Sequence, residues 1–76
     1  MANPGEHHPA FEEYCECIFE LHEDNLDVIQ ARVADRLSVS RPSVSEMIKR
    51  MEAEGLIRLR GTKIVLTDDG NVLATK

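Results

Sequence analysis

Several features that mark other classes of protein are missing or scarce in these 76 residues. No apolar run approaches the roughly 20 residues that cross a bilayer, which excludes a membrane-spanning helix. The N-terminus, MANPGEHHPAFEEY, lacks the basic start and apolar stretch of an export signal, so we expect a cytoplasmic protein. The only cysteines, Cys15 and Cys17, are too few and too close together for a disulfide framework, so we expect reduced thiols.

The chain also lacks the residue patterns that indicate catalysis. It has no Ser/His/Asp or Cys/His grouping in plausible elements, no glycine-rich phosphate loop and no His-Glu-x-x-His motif. We therefore predict that the protein is not an enzyme and has no small-molecule substrate.

Positive side chains are absent from the first 31 residues, which carry eight acidic ones. Residues 32–63 reverse this balance, with eight basic against four acidic side chains and a local charge of +4. These basic residues are Arg32, Arg36, Arg41, Lys49, Arg50, Arg58, Arg60 and Lys63. The net charge of −5 argues by itself against nucleic-acid binding, but its distribution indicates a bipolar molecule with one cationic region.

The composition is that of a globular domain, with 42% hydrophobic and 30% charged residues. A domain this small buries only about 60% of the surface that its unfolded chain exposes, so its stability is marginal. We predict one domain over residues 9–76, preceded by a flexible N-terminus at residues 1–8.

Apolar residues between positions 8 and 23 recur at three- and four-residue steps, the periodicity of one helix face. They are Phe11, Tyr14, Cys15, Ile18 and Leu21. Pro9 suits the first helical position, where its missing N–H costs nothing. The same projection predicts that Cys15 lies in the core, that Cys17 lies on the surface and that His22 is partly buried.

Two further helices are predicted, a short one at residues 30–37 and a longer one at 40–54. Ser40 is a candidate N-cap, Pro42 suits the first turn, and Gly55 stands where a left-handed C-cap is common. The residues expected to pack these helices together are Ala34, Leu37, Val39, Val44 and Ile48. Between the helices, Ser38 stands where many such turns have glycine, at a cost of at most about 1 kcal/mol.

After Gly55, two short aliphatic runs end at residues 59 and 66 and are separated by a tight turn at 60–63, which predicts a β-hairpin. Thr67 is a candidate N-cap, so a fourth helix begins there. The predicted fold is mainly α with a small β-hairpin, in the order of a winged helix-turn-helix.

In a winged helix-turn-helix protein, the helix at 40–54 is the one that enters the major groove of DNA. At 100° per residue, its outer face carries Pro42, Ser45, Glu46 and Lys49, with Arg50 at the border. Polar and basic side chains on and around this face are candidates for contacts with the DNA backbone. They are Arg32, Arg36, Arg41, Ser43, Ser45, Lys49, Arg50, Arg60 and Lys63.

Three blocks of the sequence resemble a known family. They are EEYCECIFEL (12–21), VADRLSVSRPSVSEMIKRMEAEGLI (33–57) and IVLTDDGNVLA (64–74). The stretch from Tyr14 to Ala74 is similar to the N-terminal domain of the diphtheria-toxin-repressor family of iron- and manganese-dependent transcriptional repressors. The middle block is the most specific of the three.

This resemblance implies the DNA-binding domain of a metal-dependent repressor, which binds a palindromic operator as one half of a homodimer. It also implies that Ser40, Pro42 and Glu46 approach the bases. The DNA phosphates repel the Glu46 carboxylate, and a hydrogen bond from a cytosine amino group can offset this repulsion. The base preferred at Glu46 stays open.

The resemblance further implies a metal site on the first helix. Glu13 and Glu16 are one turn apart and could both direct oxygens at one cation, although two such acids are by themselves an ordinary solvated face. In the family the position matching Glu13 is a ligand, and the position matching Glu16 is one in manganese-responsive members. Two hard carboxylates favour Mn²⁺, with Fe²⁺ as the other candidate. Further ligands and the dimer region are expected beyond residue 76, so we interpret the chain as a fragment rather than a naturally short relative.

Two other functions fit the same sequence. A winged helix can serve protein interaction, with the acidic first helix as its docking surface, or it can be a regulator that needs no metal. Replacing Lys49 and Arg50 distinguishes the first of these from DNA binding, and the cation response of Glu13→Ala distinguishes the second.

Overall fold

Residues 9–75 form four helices and one β-hairpin. The structure is a computed structural model that describes residues 9–75. The elements in chain order are α1 (Pro9–Glu23), α2 (Gln30–Leu37), α3 (Arg41–Ala53), β1 (Ile57–Arg60), β2 (Lys63–Leu66) and α4 (Asp68–Ala74). This order confirms the predicted winged helix-turn-helix, and the predicted flexible segment 1–8 lies outside the described residues.

Hydroxyl side chains cap the N-termini of two helices. Ser40 Oγ accepts a hydrogen bond from the Ser43 N–H at 3.2 Å and caps α3. Thr67 Oγ1 accepts from the Gly70 N–H at 3.1 Å and caps α4, so both predicted N-caps are confirmed. The Thr67 hydroxyl also donates to the Gly55 carbonyl at 2.6 Å, which ties the start of α4 to the end of α3.

The first three helices end in the same way, with one left-handed residue. Asn25, Ser38 and Gly55 have φ angles of +58°, +56° and +76°. The N–H of the residue after each of them donates a hydrogen bond to a carbonyl in the last turn of the helix. These bonds run from Leu26 to Leu21 (3.0 Å), from Val39 to Ala34 (3.0 Å) and from Leu56 to Met51 (2.9 Å). These are Schellman motifs, in which glycine is favoured because it has no Cβ. The predicted left-handed Gly55 is confirmed, and Ser38 adopts this conformation without being glycine.

The hairpin pairs β1 with β2 in antiparallel register, Ile57 opposite Leu66 and Arg60 opposite Lys63. A two-residue turn joins the strands, and Gly61 supplies its positive φ of +64°. In this register the Ile64 N–H points away from β1. It donates instead to the Val28 carbonyl at 2.8 Å, which fastens the hairpin to the segment before α2.

One apolar core joins all of these elements. Its fully buried large side chains are Cys15, Ile18, Leu21, Val33, Val44, Ile48, Met51, Leu56 and Ile57. Helix α1 packs against both α2 and α4, and α3 packs against α2 and β1. Among residues 9–75, no helix has the length and apolar character that spanning a membrane requires.

Three burial predictions are wrong. Cys17 is buried, with 3% of its surface exposed, because α1 is covered on two sides and its buried arc is wider than one apolar stripe. His22 is exposed, because the surface beside it is an open concavity lined by Phe19 and Ile64 rather than a packed element. Val39 is 38% exposed, because it follows the left-handed Ser38 and leaves the helix interface.

Candidate nucleic-acid interface

Helix α3 presents one buried and one exposed face. Val44, Ile48 and Met51 have no exposed surface and hold the helix against the core. The opposite face lies in solvent, which confirms the projected outer face except at Ser45, which is only half-exposed. Its exposed members are Pro42, Glu46, Lys49 and Arg50. An exposed polar helix on a rigid base has the shape that the major groove accepts.

The cations on α3 are available to a partner. Arg41, Lys49 and Arg50 are exposed, and none of them joins an ion pair within residues 9–75. Because no carboxylate of the described chain neutralises them, their charge acts on the solvent side of the helix. An array of this kind is suited to phosphate groups.

Two of the predicted backbone contacts are held by acidic side chains. The Arg36 guanidinium lies 3.5 Å from both the Glu20 and the Asp24 carboxylates, and Lys63 Nζ lies 3.6 Å from Asp27 Oδ1. All of these partners are at least a third exposed, so each pair contributes between about 0 and 1 kcal/mol. Such weak pairs leave both cations able to rearrange.

Glu46 is the single acidic residue among the exposed positions that the sequence assigned to base contact. It lines a shallow open concavity on α3 together with Pro42, Ser43, Met47 and Arg50. The carboxylate makes no ion pair in the described part of the chain, so it has no evident role in holding the fold together.

The predicted metal residues are both at the surface. Glu13 and Glu16 are exposed on α1, one turn apart. No group of three or more His, Cys, Asp or Glu side chains suited to a metal exists within residues 9–75. Two hard carboxylates fit as a partial ligand set for Mn²⁺ or Fe²⁺, and a closed site needs further ligands.

The neighbouring thiols do not add to this set. Burial, followed by the charge of Glu16, raises the pKa of Cys15 to about 11. Burial is also the largest cause that raises the pKa of Cys17. Both side chains are buried, and within residues 9–75 they form no group of three or more metal-binding side chains with Glu13 and Glu16.

A family model decides where this domain belongs. Residues 8–65 match the model of the iron-dependent repressor family, specifically its N-terminal DNA-binding domain. The chain belongs to the iron-dependent repressor family. The resemblance seen in the sequence is thereby confirmed, and the domain is one that binds DNA.

Individual iron-dependent repressors give the degree of similarity. The chain is 41% identical over 64 residues to the iron-dependent repressor IdeR of Mycobacterium tuberculosis, an alignment that covers 83% of this chain and 28% of IdeR. It is 38% identical over 65 residues to the diphtheria toxin repressor of Corynebacterium diphtheriae, covering 84% of this chain and 29% of that protein. The chain thus spans less than a third of the length of these relatives.

A solved structure extends the likeness to three dimensions. The manganese regulator SloR superposes with a TM-score of 0.77 at 34% identity, over 91% of this chain and 33% of SloR. Similarity at this level confirms the winged-helix fold of the iron-dependent repressor domain.

Sequence reasoning missed the acids that hold Arg36 and Lys63 in this iron-dependent repressor domain. Glu20 and Asp24 belong to α1 and its C-terminal turn, whereas Arg36 belongs to α2. No local pattern connects residues on different helices. The pairing depends on how α1 and α2 cross, so opposite charge in the two segments was the only signal in the sequence.

Proposed function

We propose that this domain represses transcription by inserting α3 into the major groove of a palindromic operator, as one half of a homodimer in the cytoplasm. The observation that carries the proposal is the exposed face of α3. Its cations make no ion pair within residues 9–75, and the opposite side of the helix is buried in the core. A helix that cannot rotate about its axis presents the same side chains to every DNA site, as sequence recognition requires.

The proposed contacts divide into two classes. Ser40, Pro42 and Glu46, in the N-terminal half of α3 and at its cap, face base edges, because this part of a recognition helix reaches deepest into the groove. The other polar side chains contact phosphates, position the domain and carry no sequence information. They are Arg32, Arg36, Arg41, Ser43, Ser45, Lys49, Arg50, Arg60 and Lys63.

The proposed metal is Mn²⁺ or Fe²⁺, with Mn²⁺ favoured by the two hard carboxylates of Glu13 and Glu16. The relatives support metal dependence, since IdeR is an iron-dependent repressor and SloR a manganese regulator. Within a longer repressor, ligands from other segments would join these two carboxylates. The ion would then fix the domain in its DNA-competent orientation.

Replacing Lys49 and Arg50 together by alanine is expected to weaken duplex binding and its salt dependence. Each phosphate contact contributes about 0.9 to the slope of log K against log salt, so the slope should fall by about 2. The measurement is fluorescence anisotropy of the chain on a short labelled duplex at several salt concentrations.

Arg58→Ala is the matched control for this experiment. Arg58 is an exposed cation on β1 that lines a concavity with Glu52, Asp68 and Asp69, and it is not a proposed contact. Its replacement should leave the salt slope within about 0.5 of the unaltered value. An equal fall in the salt slope for Arg58→Ala and for the Lys49 and Arg50 double replacement would show that general positive charge, rather than the α3 face, binds the duplex. No affinity in the unaltered chain would favour a protein-interaction module.

Mn²⁺ titrated into the chain is expected to bind weakly, with a dissociation constant no tighter than about 10⁻³ M, because two carboxylates make an open site. NMR broadening by the paramagnetic ion should centre on Glu13 and Glu16. Glu13→Gln combined with Glu16→Gln should remove it. The pair Glu20 and Glu23 has the same spacing on α1 and is the comparison, with Glu20 also paired to Arg36. Equal broadening at both pairs would contradict a preferred site.

A further inference from the structure

We propose that Glu46 makes this domain prefer cytosine at one fixed position of its DNA site. The inference rests on the proposed function, since it requires α3 to occupy the major groove. It adds the identity of the base and the atom that is recognised, which is the exocyclic N4 amino group of cytosine.

Glu46 lies on the side of α3 opposite its buried stripe. At 100° per residue, Glu46 projects about 190° away from the centre of the stripe formed by Val44, Ile48 and Met51. That stripe is completely buried, so Glu46 occupies the outermost line of α3. It lies one turn after Pro42, within the N-terminal half of the helix, from which base edges are reached.

The Glu46 carboxylate can bind only a base edge that offers a hydrogen-bond donor. An ionised carboxylate only accepts hydrogen bonds. In the major groove, guanine presents two acceptors and thymine one acceptor with a methyl group, and all of these are unfavourable partners. Adenine presents an amino donor beside the N7 acceptor, whereas cytosine presents its amino donor without an acceptor of its own. Cytosine is therefore the base edge that suits Glu46.

The surroundings of Glu46 leave its carboxylate available to a base. Its carboxylate has no ion pair in the part of the chain that the structure describes, so nothing within that part competes for its acceptor oxygens. Lys49 and Arg50 follow three and four residues later on the same exposed side. Their charges offset the repulsion between a carboxylate and nearby phosphates, so Glu46 can approach a base pair without preventing the helix from docking.

The test is selection of duplexes from a randomised library by the chain, followed by sequencing. The unaltered protein should enrich cytosine at one position by about 5-fold over other bases, the lower end of the range for bidentate base contacts, because N4 offers a single hydrogen bond. E46Q should move the preference at that position to adenine, which pairs with an amide through N6 and N7. E46A should lose the preference there while the rest of the selected motif stays the same.

Two controls separate recognition from folding and from charge. The unfolding midpoint of E46Q should match that of the unaltered chain, because Glu46 is exposed. K49A should lower affinity for all duplexes without changing the selected motif. A second measurement replaces the selected cytosine by an analogue without the N4 amino group, which should weaken binding by the unaltered chain and leave E46A unaffected.

The failures of the two proposals are distinguishable. A motif that is identical for the unaltered chain, E46Q and E46A would overturn the cytosine assignment and leave DNA binding by α3 standing. A motif change at that position toward a base other than adenine in E46Q would also overturn it. If the unaltered chain selects no sequence and binds no duplex, the proposed function fails, and the assignment with it.

Discussion

Gly70→Ala is expected to lower the free energy of unfolding by about 3 kcal/mol or more, which is enough to unfold much of a domain this small. A Cβ at position 70 would overlap the Leu56 carbonyl oxygen and lie 3.1 Å from the Leu56 carbonyl carbon. That oxygen accepts the Thr67 N–H at 3.0 Å, so it cannot move without loss of the contact that seats α4. The expected loss is measured by urea denaturation followed by circular dichroism.

The clash with Leu56 and the helix propensity of alanine predict opposite changes in the stability of Gly70→Ala. In a helix interior, alanine is usually about 1 kcal/mol more favourable than glycine, so helix propensity alone predicts a stabilised Gly70→Ala protein. Asn71→Ala is the control, because Asn71 is the exposed neighbour in α4 and its replacement should change stability by less than about 0.5 kcal/mol. A higher midpoint for Gly70→Ala would show that α4 does not pack against Leu56 as described.

Ile48→Ala is expected to destabilise the domain by about 2 to 5 kcal/mol. Ile48 belongs to the buried face of α3 and has no exposed surface. Its truncation therefore leaves a cavity between the proposed recognition helix and the core. Duplex affinity should fall by the same factor as the folded fraction, since only folded molecules present the α3 face. Thermal denaturation and anisotropy on the same samples measure the two quantities.

Ile48→Val is the graded control, with an expected cost of about 0.5 to 1.5 kcal/mol. A stabilising osmolyte such as trimethylamine N-oxide should refold Ile48→Ala and restore its duplex binding together with its structure. If duplex binding stays lost after refolding, Ile48 acts on the interface in some way other than by supporting α3.

The ends of the helices could be read from the sequence because they depend on neighbouring residues. Ser40 and Thr67 cap the helices that follow them, and Gly55 takes the left-handed conformation that ends α3. Each of these outcomes involves groups only a few positions apart along the chain, and a local pattern describes them completely.

The exposed face of α3 could also be predicted, although the partners of its side chains could not. The regular step of a helix places Glu46 and Lys49 opposite Val44 and Ile48 in any fold that buries the apolar stripe. The pairing of Arg36 with Glu20 of α1 and with Asp24 just after it requires two helices to cross at one place, and no periodicity encodes that crossing.

Neither the local capping pattern nor the helix period predicted the burial of residues at the edge of an apolar face. Cys17 and His22 were assigned from the angle at which each leaves α1, and both assignments were wrong. The angle gives the direction of a side chain. Whether another element covers that direction depends on where α2, α4 and the hairpin come to lie.

The amino-acid sequence by itself determined which segments become helices, where they start and stop, and which side of α3 faces solvent, because capping groups and a 3.6-residue period act over short distances. Only the tertiary structure decided that Cys17 is covered, that Arg36 pairs with Glu20 and Asp24, and that Gly70 admits no side chain. Those outcomes depend on atoms from segments distant along the chain, which folding brings into contact.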